Sequence, residues 1–193
     1  MIKIGITGSL ASGKTTASKI LSFRRGPLFS ADKAVKEIYL NKYFRSLIRK
    51  KFKIKNKSQI KQSLKKLILK KKRNIKKLER IIHPLVRKKM RSFTLKNRNK
   101  KILFYEIPLL IESKLMSHFN LIIFIKAKKK IRLKRFQLKN RNKKLFNLLN
   151  NKQLEDVKKV KFCDKVISSS AHLLVSRMSY LPSHLISFTP LSL

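Results

Sequence analysis

The 193-residue sequence predicts an α/β fold, a parallel five-stranded sheet flanked by helices. Three observations predict it. Gly8-Ser9-Leu10-Ala11-Ser12-Gly13-Lys14-Thr15 meets every specified position of the phosphate-loop pattern G-x-x-x-x-G-K-[ST]. Ile102 to Glu106 and Leu121 to Ile125 are continuous apolar runs of strand length, which suits buried parallel strands. Strand patterns then alternate with helical ones along the chain, the ordering of a parallel sheet with crossover helices.

The elements follow in order. Met1 to Ile6 alternates as a strand, and Thr16 to Leu21 continues the loop as a helix. Gly26-Pro27 is a turn signal. Leu28-Phe29-Ser30 is a short second strand ending in Ala31-Asp32, and Ala34 to Tyr39 resumes a helical pattern. Residues 42–77 are lysine-rich, with Ile60, Leu64, Leu67 and Ile68 on one helical face. Ile75, Leu78, Ile81, Ile82 and Leu85 keep helical spacing, and Pro84 interrupts them. The first position of a new helix is where proline fits best, so a helix start is expected there. After the strand Ile102–Glu106 and the strand Leu121–Ile125, Lys128 to Lys152 is basic and helical in pattern. Leu154 to Phe162 reads as a further helix and Lys165-Val166-Ile167 as the last strand. Ser168 to Leu193 mixes serine, proline and apolar residues and carries no functional signal.

The bulk composition bounds the rest. The length suits one compact domain. The single Cys163 excludes an internal disulfide framework and suits a reducing compartment, so a cytoplasmic protein is expected. The apolar start, broken by Gly5, Thr7 and Gly8, is not expected to be a signal peptide. No apolar run is long enough to span a bilayer. Lys and Arg number 51 against eight acids, a formal charge of +43. Such a field attracts polyanions nonspecifically, and a nucleic-acid binder is one reading of it. The other is codon drift toward A and T, since Lys, Asn, Ile and Phe are abundant throughout while Gly and Trp are scarce. In a chain drifting toward lysine, the remaining acids are the ones to examine: Asp32, Glu37, Glu79, Glu106, Glu112, Glu155, Asp156 and Asp164.

The loop assigns chemistry. Gly8, Ser9, Leu10, Ala11, Ser12, Gly13, Lys14, Thr15 and Thr16 are the expected ATP-binding residues. Backbone N–H groups and the helix N-terminus face the phosphates. Lys14 reaches the β- and γ-phosphates and the Thr15 hydroxyl ligates Mg²⁺. Neither Asn/Thr-Lys-x-Asp nor Asp-x-x-Gly occurs, which argues against an ordinary GTPase. The size fits a small-molecule P-loop kinase with a basic lid and a helical acceptor-binding insert.

An ordered series of segments narrows this. Ile4 to Gly8 with Lys14-Thr15-Thr16, Phe29-Ser30-Ala31-Asp32, Leu78-Glu79-Arg80-Ile81-Ile82-His83-Pro84-Leu85-Val86, Glu106-Ile107-Pro108-Leu109-Leu110-Ile111-Glu112, and Gln153 followed by Cys163-Asp164-Lys165-Val166-Ile167 together resemble the dephospho-CoA kinases over roughly residues 1–170. The resemblance implies a P-loop NTPase-type fold in which the ATP γ-phosphoryl passes to the ribose 3′-hydroxyl of dephospho-CoA, giving coenzyme A and ADP. It implies one domain with a core at 1–40, 100–127 and 153–170, an insert at about 42–98, a lid at about 128–152 and an unassigned tail, 171–193. ATP and dephospho-CoA are the implied small-molecule partners, Mg²⁺ the implied ion, and a monomer the expected state.

The same resemblance implies residue roles. Asp32 matches the acid beside the acceptor hydroxyl, a catalytic residue together with Lys14. An alternative reading makes it the N-cap of the following helix. His83 and Pro84 match the acceptor-binding region at its turn, where a lone histidine is as readily structural. Pro108, Leu109 and Leu110 match the loop bordering the acceptor. Glu106 stands where a Mg²⁺-water ligand is wanted, and Glu112 reads as a helix cap or ion pair. Arg132, Arg135 and Arg141 fall in the lid, where guanidinium groups clamp phosphates. There are departures. Ser9, Leu10 and Ala11 replace a glycine-rich start of the loop, Ser30 replaces an Asp, and Ser168 to Ser170 replace a polar-Asn ending near the adenine pocket. Two rival readings stay open: another nucleotide or small-molecule P-loop kinase, and a basic nucleic-acid-binding protein with a degenerate loop.

Overall fold

The computed structural model describes residues 1–54, 60, 62–64, 67, 73–138 and 142–169. Its strands are β1 (Ile2–Gly8), β2 (Leu28–Ser30), β3 (Ile102–Glu106), β4 (Leu121–Lys126) and β5 (Lys165–Ser168). Its helices are α1 (Lys14–Ser22), α2 (Ala31–Leu40), α3 (Lys42–Phe52), α4 (Arg73–Lys96), α5 (Lys129–Gln137), α6 (Lys143–Asn150) and α7 (Asp156–Val160), with a 3₁₀ turn at Met116–His118. The five strands form one parallel sheet in the order β2-β3-β1-β4-β5.

The chain divides into two compact units. The first holds Met1–Leu28 and the described residues from Lys100 onward. Its core is Ile6, Ala17, Leu21, Phe104, Ile123 and Ile125, which joins α1 to the sheet. Strands β3 and β4 are buried along most of their length, which is why their sequences are runs rather than alternations.

The second unit is Phe29–Asn99. Asn41 caps α3, its side-chain oxygen accepting from the Phe44 amide at 3.1 Å. Phe44, Ile48 and Phe52 then recur at helical spacing and are buried with Ile38, Ile54, Ile60, Leu64 and Ile82. Each such side chain contributes about 1.5–3 kcal/mol on burial. Leu67 packs against this core, whereas Ile68 lies outside the described residues.

Three sequence expectations are corrected here. Pro84 does not start a helix: α4 runs through it for 24 residues. The apolar face of Leu78, Ile81, Ile82, Leu85 and Val86 keeps its phase across the proline, so packing against one core outweighs the lost amide. His83 accordingly lies inside a helix rather than at a turn. The basic stretch after β4 is two helices, with Asn142 capping the second by accepting from the Leu145 amide at 2.8 Å. The helix expected over 154–162 is only the five-residue α7.

Candidate active site

The phosphate loop leaves the carboxyl end of β1, a strand paired on both sides. Ile6 lies beside Glu106 of β3, and Gly8 beside Ile125 of β4. This register sets the Glu106 carboxylate at the base of the loop. Gly8 has φ 150°, and a Cβ there would stand 2.4 Å from the Ile125 carbonyl oxygen. Gly13, with φ 92°, is the N-cap of α1 and no side chain caps that helix. An uncapped first turn presents N–H donors to an anion. Between the glycines, Ala11 also takes a left-handed conformation, φ 58°.

Lys14 and Thr15 open α1. Lys14 is 8% exposed, and its Nζ donates to the Ser9 carbonyl at 2.8 Å. The Thr15 hydroxyl donates to Glu106 Oε1 at 2.6 Å. Glu106 is 2% exposed. A hydroxyl and a buried carboxylate side by side are hard oxygen donors of the type that a magnesium ion takes, directly or through its waters.

Two of the lid arginines turn inward. The α5 face carrying Arg132 and Phe136 is buried, while Lys128, Lys129 and Lys130 are exposed. Arg135 donates through Nη1 to the Ser12 carbonyl at 3.2 Å and to Ser169 Oγ at 2.8 Å, and through Nη2 to the Ser169 carbonyl at 2.7 Å. The Ser169 hydroxyl donates to the same Ser12 carbonyl. Arg132 donates through Nη1 to Asn150 Oδ1 at 2.7 Å and to the Leu10 carbonyl at 3.4 Å, and sits 5.8 Å over the Phe146 ring. Burial lowers its pKa below the usual guanidinium range, and the nearby Asp156 charge opposes that shift. Arg141 lies outside the described residues, as does the tail from residue 170 onward.

Residues with no assigned role hold the loop from outside. Gln153 Oε1 accepts from the Leu10 amide at 3.0 Å, and Asp156 accepts from the Ser9 hydroxyl. Gln153 and Asp156 lie more than a hundred residues from the loop, so no local spacing could reveal them. Asp156 was visible only as one of few acids. Glu112 proves to be an ion-pair partner: its Oε1 lies 2.7 Å from Nζ of the fully buried Lys159 and accepts from the Leu154 amide at 3.2 Å. Asp164 accepts from the Ile122 amide at 2.7 Å, tying the start of β5 to β4.

The expected acceptor residues fall in both units. Pro108 and Leu109 are half-buried after β3, and the Pro108 carbonyl accepts from Thr7 at 3.2 Å. Leu110 is buried, its Cδ1 packed against Gly5. Asp32, half-buried His83 and exposed Pro84 belong to the second unit. Asp32 is exposed in the first turn of α2, but it is not the cap. Ser30, with φ −118° and ψ 119°, holds that position. A carboxylate in a first turn still gains from the helix dipole.

The dephospho-CoA kinase family model matches residues 2–174. A dephospho-CoA kinase of Bartonella quintana is 35% identical over 175 residues, which is 88% of this chain and 90% of that one. One from Rickettsia prowazekii is 32% identical over 183 residues, covering 90% of this chain and 91% of that one. Among solved structures, a dephospho-CoA kinase from Campylobacter jejuni superposes with a TM-score of 0.66 at 26% identity, covering 95% of this chain and 96% of its own.

Proposed function

The chain belongs to the dephospho-CoA kinase family, and from that premise we propose a reaction and a division of labour among its residues. The protein is an ATP-dependent kinase acting on dephospho-CoA. The γ-phosphoryl passes to the ribose 3′-hydroxyl, the hydroxyl proton is taken up, and coenzyme A and ADP leave. The observation that carries this reading is one cluster: an uncapped helix end behind a Gly8–Thr15 loop, Lys14 within it, Thr15 on Glu106, and Arg132 and Arg135 on the loop carbonyls.

Phosphoryl transfer asks the protein for position and charge rather than covalent chemistry. Loop N–H groups hold the β- and γ-phosphates. Lys14 exchanges the Ser9 carbonyl for phosphate oxygens and follows the γ-phosphoryl as it moves. Arg132 and Arg135 supply positive charge from the lid, with Arg141 as a third candidate. Thr15 and Glu106 are the residues that would hold Mg²⁺, which when bound neutralises charge on the phosphates. Asp32 orients the 3′-hydroxyl and accepts its proton. His83, Pro84, Pro108, Leu109 and Leu110 border the acceptor.

No described helix is long and apolar enough to cross a membrane. We place the reaction in the cytoplasm, in a monomer whose charge of +43 attracts polyanions without selectivity. The test is ADP release from MgATP with dephospho-CoA, AMP, shikimate or pantothenate as acceptor. Turnover that depends on dephospho-CoA is expected. Equal or faster turnover with another acceptor overturns the substrate assignment.

A further inference from the structure

The phosphate loop is held by side chains far from it in sequence. Ser9, Leu10 and Ala11 all carry a Cβ, yet Ala11 takes φ 58°, a region that favours glycine. Left to its own preferences, this stretch would move Ala11 toward negative φ and flatten the turn around the phosphates. Hydrogen bonds from distant side chains oppose that. The Leu10 amide donates to Gln153 Oε1 at 3.0 Å, and the Ser9 hydroxyl donates to the Asp156 carboxylate. Ser9 is 2% exposed, so its bond is sheltered from water.

Both acceptors come from one stretch, which is itself fastened to the first unit. The Gln153 amide donates to the Asn150 carbonyl at 3.1 Å and the Leu154 amide to Glu112 Oε1 at 3.2 Å. Three residues beyond Asp156, buried Lys159 pairs with the same Glu112 at 2.7 Å. The stretch therefore forms a fixed abutment beneath the first half of the loop. Asp156 also acts on buried Arg132, which donates to the Leu10 carbonyl.

We propose that Gln153 and Asp156 are positioning residues for the kinase reaction: they hold Ser9 and Leu10 so that Ala11 stays in the left-handed conformation the phosphate-binding loop needs. Their contacts are with Ser9 and Leu10 of the loop. Their effect is on how much of the free protein has a competent loop, and so on nucleotide affinity. The inference rests on the kinase reading for its meaning, but the binding readout does not need the acceptor.

The test uses the full chain. Gln153→Ala and Asp156→Ala are made separately, each alone and combined with Ala11→Gly. A fluorescent ATP analogue gives Kd, and turnover with dephospho-CoA gives KM for ATP and kcat. Each single alanine variant is expected to raise Kd and KM for ATP on the order of tenfold, the worth of one lost hydrogen bond at a loop in balance. At saturating ATP, kcat stays within about threefold of wild type, because the bound nucleotide restores the loop. Adding Ala11→Gly brings Kd back to within about threefold of wild type, because glycine removes the strain that the anchors oppose. A general structural defect would lower the melting temperature without that rescue. Unchanged Kd in both folded alanine variants overturns the inference, as does a raised Kd that Ala11→Gly leaves where it is. If Asp156→Ala does not fold, Gln153→Ala carries the same test. A wild-type protein that binds the analogue but ignores dephospho-CoA would contradict the kinase assignment and leave the loop inference standing.

Discussion

Glu112→Gln isolates the ion pair beneath the loop. Lys159 has a side-chain exposure of 0% and Glu112 of 16%, with Nζ and Oε1 2.7 Å apart. Among the described residues Nζ donates no other hydrogen bond that replaces that contact. Glutamine keeps the size and an oxygen for the Leu154 amide but leaves the ammonium unpaired. Stranding a buried charge costs about 3–5 kcal/mol. At about 2–4 °C per kcal/mol for a chain of this size, the melting temperature falls about 6–20 °C. The loss is read by calorimetry at about pH 7 on the folded variant beside wild type. Adding Lys159→Met removes the stranded charge and is expected to recover more than half of the loss. A Glu112→Gln melting temperature within about 2 °C of wild type refutes the reasoning, because the pair would then not be a desolvated one.

Three further outcomes follow from the site. Lys14→Ala is expected to fold and to lose on the order of 10²-fold in turnover, measured by coupled ADP release, since one transition-state contact of this kind is worth that much. Asp32→Asn is expected to lose at least about 10²-fold in turnover with ATP affinity kept, the lower end for a positioned base. Ser30 holds the N-cap position of that helix, so the first-turn dipole contribution lost is about 0.3–1 kcal/mol, about 0.6–4 °C in melting temperature. Burial, with Asp164 nearby, pushes the Cys163 thiol up to about 11 from 9.0. Iodoacetamide should therefore alkylate it on the order of 10²-fold more slowly in the native than in the unfolded protein at pH 8. The raised folded pKa also means that its share of stability is present below about pH 9 and lost as pH climbs through about 11.

The parts of this molecule that sequence reveals are those set by neighbours in the chain. The Gly8–Thr15 loop, β3 and β4 are local patterns, and each lies where its residues place it. The proline at 84 shows the limit of a local rule. Its missing amide predicts a helix start, but an apolar face continuous on either side holds one helix together. Gln153, Asp156 and Ser169 stood out in the sequence, but their role as anchors of the loop did not, for a different reason. Gln153, Asp156 and Ser169 reach Leu10, Ser9 and Ser12 only because β4 and β5 return the chain to the sheet beside β1. Arg132 and Arg135 were legible through the lid resemblance, with Arg141, but their partners were not: the structure buries Arg132 and half-buries Arg135 against the loop while Lys128 to Lys130 stay exposed.

The central claim is a transfer to one hydroxyl, and the phosphorus of the product reports it. Protein, MgATP and dephospho-CoA are incubated to completion, and the product is examined by mass spectrometry and phosphorus NMR. The account predicts a mass gain of one phosphate per ADP formed and a single new phosphomonoester on the ribose 3′-oxygen. A phosphate at any other position, or ADP formed without phosphorylated dephospho-CoA, contradicts it.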